Sequence, residues 1–208
     1  MLIYIIEENR KIFDLLKNMI KNSERYIFFQ KDAKFSRDIK KYIEDNGVLV
    51  FKSICPKELT EYGHTVVSDE NIDLVVLGDF KNNLDKHNFE NVKTFMLNTE
   101  NMDRLKNIDF GSSQIITCGL REKDTVIFSS IDLDEGSVML DLQRSIINTN
   151  GEIIEAFEKK ILIDNCIECE NDGEAEGKLI EATLFALAIL LYSGRLAKTF
   201  CNKSTQSG

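Results

Sequence analysis

The chain alternates short apolar runs with amphipathic stretches, and that rhythm restricts it to few architectures. Residues 2–6 (Leu-Ile-Tyr-Ile-Ile) form a compact apolar run, the pattern of a strand buried on both faces. Behind it, Ile12, Leu15, Leu16, Met19 and Ile20 fall on one face of a helix. Residues 25–29 read as a second strand. Phe35, Ile39, Tyr42 and Ile43 mark a second helix, halted by Asn46-Gly47. Residues 48–54 make a third strand, ended by Cys55-Pro56. A weak helix at 57–62 leads to Thr65-Val66-Val67, and further strands follow at 73–77 and 93–97. Strands separated by helices join as right-handed crossovers in a parallel sheet.

After about residue 114 the texture changes. Residues 114–118, 124–131, 137–147 and 152–163 read as strands with little helix between them. Glu135-Gly136 and Asn150-Gly151 sit at two of the joins, where glycine admits the positive φ of a tight turn. Val138, Leu140 and Leu142 alternate with Met139, Asp141 and Gln143, so one face of that strand is buried. The pattern predicts an antiparallel meander extending or covering the parallel sheet. An acidic segment over 164–176 leads into a helix from about 174 to 193, closed by Gly194-Arg195. Residues 182–192 are apolar almost all round. Eleven residues are too few to span a bilayer, which takes about 20, so the expectation is a buried central helix. The same apolar surface exceeds one stripe, which fits a homodimer formed through Ala182–Tyr192.

The 208 residues suffice for one large domain or two small ones. The expectation is a single α/β domain over 1–200, with a finer division into 1–91 and 92–200 where the texture changes, and a flexible tail at 201–208. With 43% hydrophobic residues the chain has the material for a core. A formal charge of −9 argues against nucleic-acid binding, which needs clustered Lys and Arg to displace counterions. Abundant Lys, Asn and Ile, a single Pro and no Trp fit the codon bias of an AT-rich bacterial genome. The start lacks a basic region and a small-residue cleavage site, so it reads as a strand and not a signal peptide. Five cysteines form no even framework, and reduced thiols in a cytoplasm are expected, with no membrane association.

Several mechanisms lack their residues. A Walker loop needs G-x-x-x-x-G-K-[ST]. At the sole Gly-Lys, Gly177-Lys178, Asp172 stands in place of the first glycine and Leu179 in place of Ser/Thr. A Rossmann G-x-G-x-x-G is absent too. Cys166-Ile167-Glu168-Cys169 has metal or redox spacing, but no second ligand pair accompanies it, and the acids around it disfavour a thiolate. His64 and His87 have no Ser or Cys partner at recognisable spacing. No metal and no cofactor is predicted.

Acidic and amide side chains do gather at the expected C-terminal ends of strands, where open α/β sheets bind ligands. Glu7, Glu8, Asn9, Asp79, Asn98 and Glu100 are the candidate ligand-binding residues. Glu7-Glu8-Asn9 after the first strand looks like the acidic pair of response-regulator receiver domains, with Asp79 as candidate phosphoacceptor and Thr99 in place of the switch Thr. Gly78, however, takes the register of the acceptor, and an extra strand unit separates Glu8 from Asp79. Helix-terminal acids at Glu7 and Glu8 and a loop cap at Asp79 are the structural alternative.

From Val92 onward the order of features resembles the later part of a Mur ligase central domain. Lys93-Thr94-Phe95-Met96-Leu97-Asn98-Thr99-Glu100-Asn101 resembles that family's strand ending in an Asn-x-Asp-Asp turn. Gln114-Ile115-Ile116-Thr117-Cys118-Gly119 resembles the following strand with its glycine. The meander comes next, and Glu181-Ala182-Thr183-Leu184-Phe185-Ala186-Leu187-Ala188 with Gly194 resembles the Ala-rich helix ending in Gly. The resemblance spans roughly half the chain, about residues 92–200. The family's ATP loop has no counterpart. Lys178-Leu179 and Ala182 stand where its helix carries adenine-holding asparagines, and its metal-binding Glu, carbamylated Lys and ligase domain are missing. The resemblance therefore implies a scaffold without ATP-dependent ligation. It points to a non-catalytic binding or assembly protein with a protein or small-molecule partner and a tie to the cell wall. A divergent receiver-like regulator is the first alternative. An enzyme using the acidic strand-end face is the second.

Overall fold

The computed structural model describes residues 1–20, 26–30, 48–56, 71–79, 89, 91–106, 108–163 and 173–196. Six strands form one parallel sheet: β1 (Leu2–Ile6), β2 (Tyr26–Gln30), β3 (Leu49–Ile54), β4 (Ile72–Leu77), β5 (Val92–Leu97) and β6 (Gln114–Thr117). Their spatial order is β2-β3-β1-β4-β5-β6. β1 lies between β3 and β4, with Ile3 beside Phe51 on one side and Leu74 on the other. The expected helix at 35–43, the weak helix at 57–62 and the strand at 65–67 lie outside the described residues. So do His64, His87, Cys166 and Cys169.

The apolar runs are continuous because both faces of the sheet are covered. Period 2 divides each strand between two cores. Ile3, Ile5, Phe51, Leu74, Val76, Met96 and Ile116 join the core on the face of helices α1 (Lys11–Met19) and α2 (Gly173–Tyr192). Tyr4, Ile6, Val75, Leu77, Phe95 and Leu97 form the opposite core, with Leu105 and Ile108. Leu105 ends a 3-10 helix (Thr99–Leu105) that the periodicity does not announce. Helix α1 buries Ile12, Leu15 and Leu16 as expected, and also Phe13, which meets Phe28 edge-on at 5.2 Å.

The second half forms separate layers. β7 (Val126–Asp132), β8 (Ser137–Leu142) and β11 (Phe157–Leu162) make an antiparallel sheet in the order β11-β8-β7. Val138, Leu140 and Leu142 face inward and are buried, and β7 touches α2. The meander thus covers the helix and does not extend the parallel sheet. Gly136 (φ 59°) and Gly151 (φ 79°) take the positive φ expected at the joins. Two expected strands are broken. The run 137–147 divides into β8 and β9 (Ile146–Ile147), and 152–163 divides into β10 (Ile153–Ile154) and β11. The cause is a change of partner: β9 pairs β10 while β8 pairs β11. Gln114 reinforces the break, since its side-chain amide accepts from Ile147 N at 2.9 Å and donates to Ile147 O at 3.0 Å.

Helix α2 is the central element. Residues 182–192 are all buried. The apolar surface that suggested a homodimer is therefore covered by this chain's own core, and that stretch has no free apolar stripe. Gly194 (φ 66°) closes the helix, with Gly194 N donating to Leu191 O and Arg195 N to Leu190 O. That pair of bonds is a Schellman cap.

Candidate functional site at the β1–β4 crevice

The strand order locates the site. From β1 the chain runs to β2 on one side of the sheet, and from β4 it runs to β5 on the other. The point where connections diverge leaves a crevice at the strand C-termini, the general ligand position in open α/β sheets. A shallow cleft of roughly 330 Å³, counted to its open mouth, lies there. Glu7, Asn9, Lys11 and Ile12 come from the β1–α1 segment, Asp79 from the end of β4, and Lys178, Glu181, Ala182 and Phe185 from α2.

Glu7 is the central feature. It follows β1 directly and is 3% exposed. Its Oε2 accepts from Ile12 N at 3.0 Å and its Oε1 from Phe13 N at 2.9 Å. Helix α1 has no side-chain cap from Arg10, which sits at φ 54°. The carboxylate four residues upstream of the helix takes that role and satisfies two amides of the first turn. Gly78 makes room for this packing. A Cβ there would lie 2.8 Å from Ile12 Cδ1 and 3.2 Å from Glu7 Cβ. Burial pushes the Glu7 carboxyl up to about 7, against the two amide bonds that favour its ionised form; Asp14 raises it and Arg10 lowers it slightly.

The other expected residues divide. Asn9 is exposed at the rim and the partly buried Asp79 lines the wall. Glu8 does not line the cleft, but its N–H donates to Asp79 O at 3.0 Å and ties the two loops together. Asn98 is buried and structural. Its Oδ1 accepts from Glu100 N at 2.8 Å, capping the 3-10 helix, while its Nδ2 donates to Glu181 Oε1 at 2.6 Å. Glu100 is exposed and stands 3.7 Å from the Arg121 guanidinium, away from the cleft wall. A surface pair of this kind contributes little.

Sequence reasoning missed the contribution of α2. Glu181 is half-buried, and desolvation raises its carboxyl above the ordinary value, while the Asn98 amide lowers it and Asp79 and Glu100 raise it. Lys178 and Glu181, one turn apart, precede the wholly apolar stretch, and that polar step before 182 is the signal that could have marked them. Asn101 was also missed as a brace: it donates to Gly78 O at 3.2 Å and accepts from Arg104 at 2.7 Å.

Beyond β6, Cys118 is fully buried, and its thiol is pushed well up by desolvation and then by Asp124 and Glu181. It is not a reactive thiolate. Asp124 is also fully buried. Its Oδ2 accepts from Arg121 N at 3.2 Å, and its Oδ1 has no partner among the described residues. No group of three or more His, Cys, Asp or Glu among the described residues is arranged to hold a metal ion. No helix among them is long and apolar enough to cross a membrane. No protein-family model matches the chain, and no curated protein matches it.

Proposed function

We propose that this chain is a non-catalytic binding or assembly protein, similar to a Mur ligase central domain that lacks its phosphate loop, with its ligand or partner at the β1–β4 crevice. One observation carries the reading. The N–H groups of Ile12 and Phe13, at the helix end where a phosphate would gather, already bind the Glu7 carboxylate. Asp79 and Glu181 add further acid to the same cleft. An incoming triphosphate would find those two amide donors already occupied, in a cleft whose three acids outnumber its two lysines, Lys11 and Lys178. Support from the later half is of a different kind: Asn98 and Asn101, in the turn that carries the resemblance, brace Glu181 and the β4 loop. On this reading the protein works in a cytoplasm, beside cell-wall assembly. Titration calorimetry with ATP and Mg²⁺ tests it. No heat of binding is expected at 1 mM nucleotide, an order-of-magnitude ceiling chosen for weak sites. Micromolar binding with hydrolysis overturns it.

A second reading has an observation of its own. A buried carboxyl near 7 in a cleft, beside two further carboxyl groups, suits general acid–base chemistry. A hydrolase screen on wild type and Glu7→Gln separates the two. Turnover lost in the variant favours the enzyme, and no turnover in either favours the binding protein.

A further inference from the structure

A carboxyl group is buried in the loop after β6, with one of its oxygens unpartnered among the described residues. The loop is pinned at both ends. Cys118 and Val126 form a parallel bridge, Thr125 N donates to Thr117 O at 2.9 Å, and Gly119 N donates to Val126 O at 3.3 Å. Asp124 closes the loop, its N–H donating to Arg121 O at 2.9 Å, and its side chain is fully buried. Oδ2 accepts from Arg121 N at 3.2 Å, and Oδ1 is the unpartnered atom. Gly119 backs onto the group so closely that a Cβ there would stand 2.3 Å from Oδ2, so the backbone is shaped to this carboxyl. Basic side chains of the neighbourhood are engaged elsewhere. The Arg121 guanidinium stands 3.7 Å from Glu100, and Arg144 donates to Lys123 O at 3.2 Å. Thr99 Oγ1, in the segment after β5 that Arg121 reaches through Glu100, is the other buried side-chain oxygen without a partner among the described residues.

We propose that Asp124 is the anionic ligand of a buried alkali-cation site, holding a potassium or sodium ion at its Oδ1. A carboxylate taken out of water destabilises a fold strongly unless its charge is answered. One amide bond to Oδ2 does not answer it. A buried water would donate to Oδ1 but bring no charge. A divalent ion calls for more negative charge than one carboxylate supplies. No His, Cys or further acid among the described residues joins Asp124 in a group of three. A single carboxylate among neutral oxygens balances a single positive charge. The site is separate from the β1–β4 cleft, whose lining does not include Asp124, and it stands whatever that cleft binds. An ion there fixes the loop that carries the exposed Leu120 and Arg121 at the strand-end face.

Urea denaturation of the full chain, stripped of alkali ions and titrated with KCl or NaCl against choline chloride at constant ionic strength, tests it. An ion that binds only the folded chain multiplies the folding equilibrium constant by about ten for each tenfold rise in its concentration above its dissociation constant. That slope is expected for at least one of the two ions. Asp124→Asn, which keeps the shape and removes the charge, should abolish it. Equal stability in choline and alkali chloride overturns the proposal, since a water or a proton then suffices. So does an undiminished slope in Asp124→Asn, which places the ion elsewhere. Should the variant fail to fold, a crystal structure of the wild type grown in the salt that gave the slope decides. An ion coordinated by Asp124 Oδ1 upholds the site, and a water or nothing at that atom overturns it.

Discussion

Asn98 Nδ2 donates to Glu181 Oε1 at 2.6 Å, fastening the end of β5 to α2 across 83 positions of sequence. The same side chain caps Glu100 N through its Oδ1. Asn98→Ala removes both bonds and leaves a half-buried carboxyl without its donor. The expected loss is about 2–3 kcal/mol, read as a lower urea midpoint at unchanged slope. Asn98→Asp should be worse, because it sets a second carboxylate against Glu181.

Stability should fall as pH rises toward neutrality. Glu7 is near 7 in the folded chain against 4.5 when exposed, so it binds its proton more tightly when folded. Its contribution is fully present below 4.5 and is lost as pH rises through 7, about 3 kcal/mol in all. Glu181, raised by burial, acts in the same direction. Urea melts at pH 5, 6, 7 and 8 check this, and Glu7→Gln should flatten most of the slope. A wild-type profile already flat across that window would contradict the burial of an ionisable Glu7.

Tyr192 closes α2 against the sheet. Its hydroxyl lies 2.9 Å from Thr94 Oγ1 and 3.1 Å from the carbonyl of Asp73. Tyr192→Phe keeps the ring and strips the hydroxyl, leaving those buried acceptors short of a donor. We expect a loss of about 1–2 kcal/mol with an unchanged fold, measured by chemical denaturation and far-ultraviolet dichroism.

Two glycines should respond in opposite senses to alanine. At Gly119 a Cβ would stand 2.3 Å from Asp124 Oδ2, so the buried carboxylate must shift, and a loss of about 1–3 kcal/mol is expected. At Gly177, exposed within α2, nothing lies within 4 Å of the added carbon. Gly177→Ala should stabilise by about 0.4–1 kcal/mol through the unfolded state and helix propensity. Thermal melts of the pair, run together, show whether both signs hold.

Phe185 forms part of the cleft floor and of the central core and is fully buried. Phe185→Ala should lose about 3–5 kcal/mol, detected as a large drop in the thermal midpoint. Ligands that require the apolar floor should lose affinity with it.

The local chemistry of the chain was readable where one residue's neighbours in sequence are also its neighbours in space. The runs that form β1, β3, β4 and β5 are legible to within one or two residues, because a strand buried on both faces must be apolar throughout. Gly136, Gly151 and Gly194 marked turns and a helix end because a positive φ is a local demand. The alternation of Val138, Leu140 and Leu142 gave the buried face of β8 for the same reason. Glu7 and Asp79 could be placed near a strand-end site, since the position of a residue in its own loop is also local.

What the tertiary structure decided is everything that depends on which segments meet. The order β2-β3-β1-β4-β5-β6, and with it the crevice between β1 and β4, leaves no trace in periodicity, because hydrophobic burial is non-directional and any apolar strand can lie beside any other. The division of the meander at 143–145 coincides with the polar run Gln143-Arg144-Ser145, but which strands pair on either side of it, β8 with β11 and β9 with β10, came only from the tertiary structure. Glu181 and Lys178 reached the cleft because α2 crosses the sheet, and Asn98 became a brace because that crossing brought Glu181 within reach. Glu7 looked like a helix-terminal acid in the sequence. Only the packing around it turned that acid into a buried carboxyl held near neutrality, since desolvation is a property of the assembled neighbours and not of the residue.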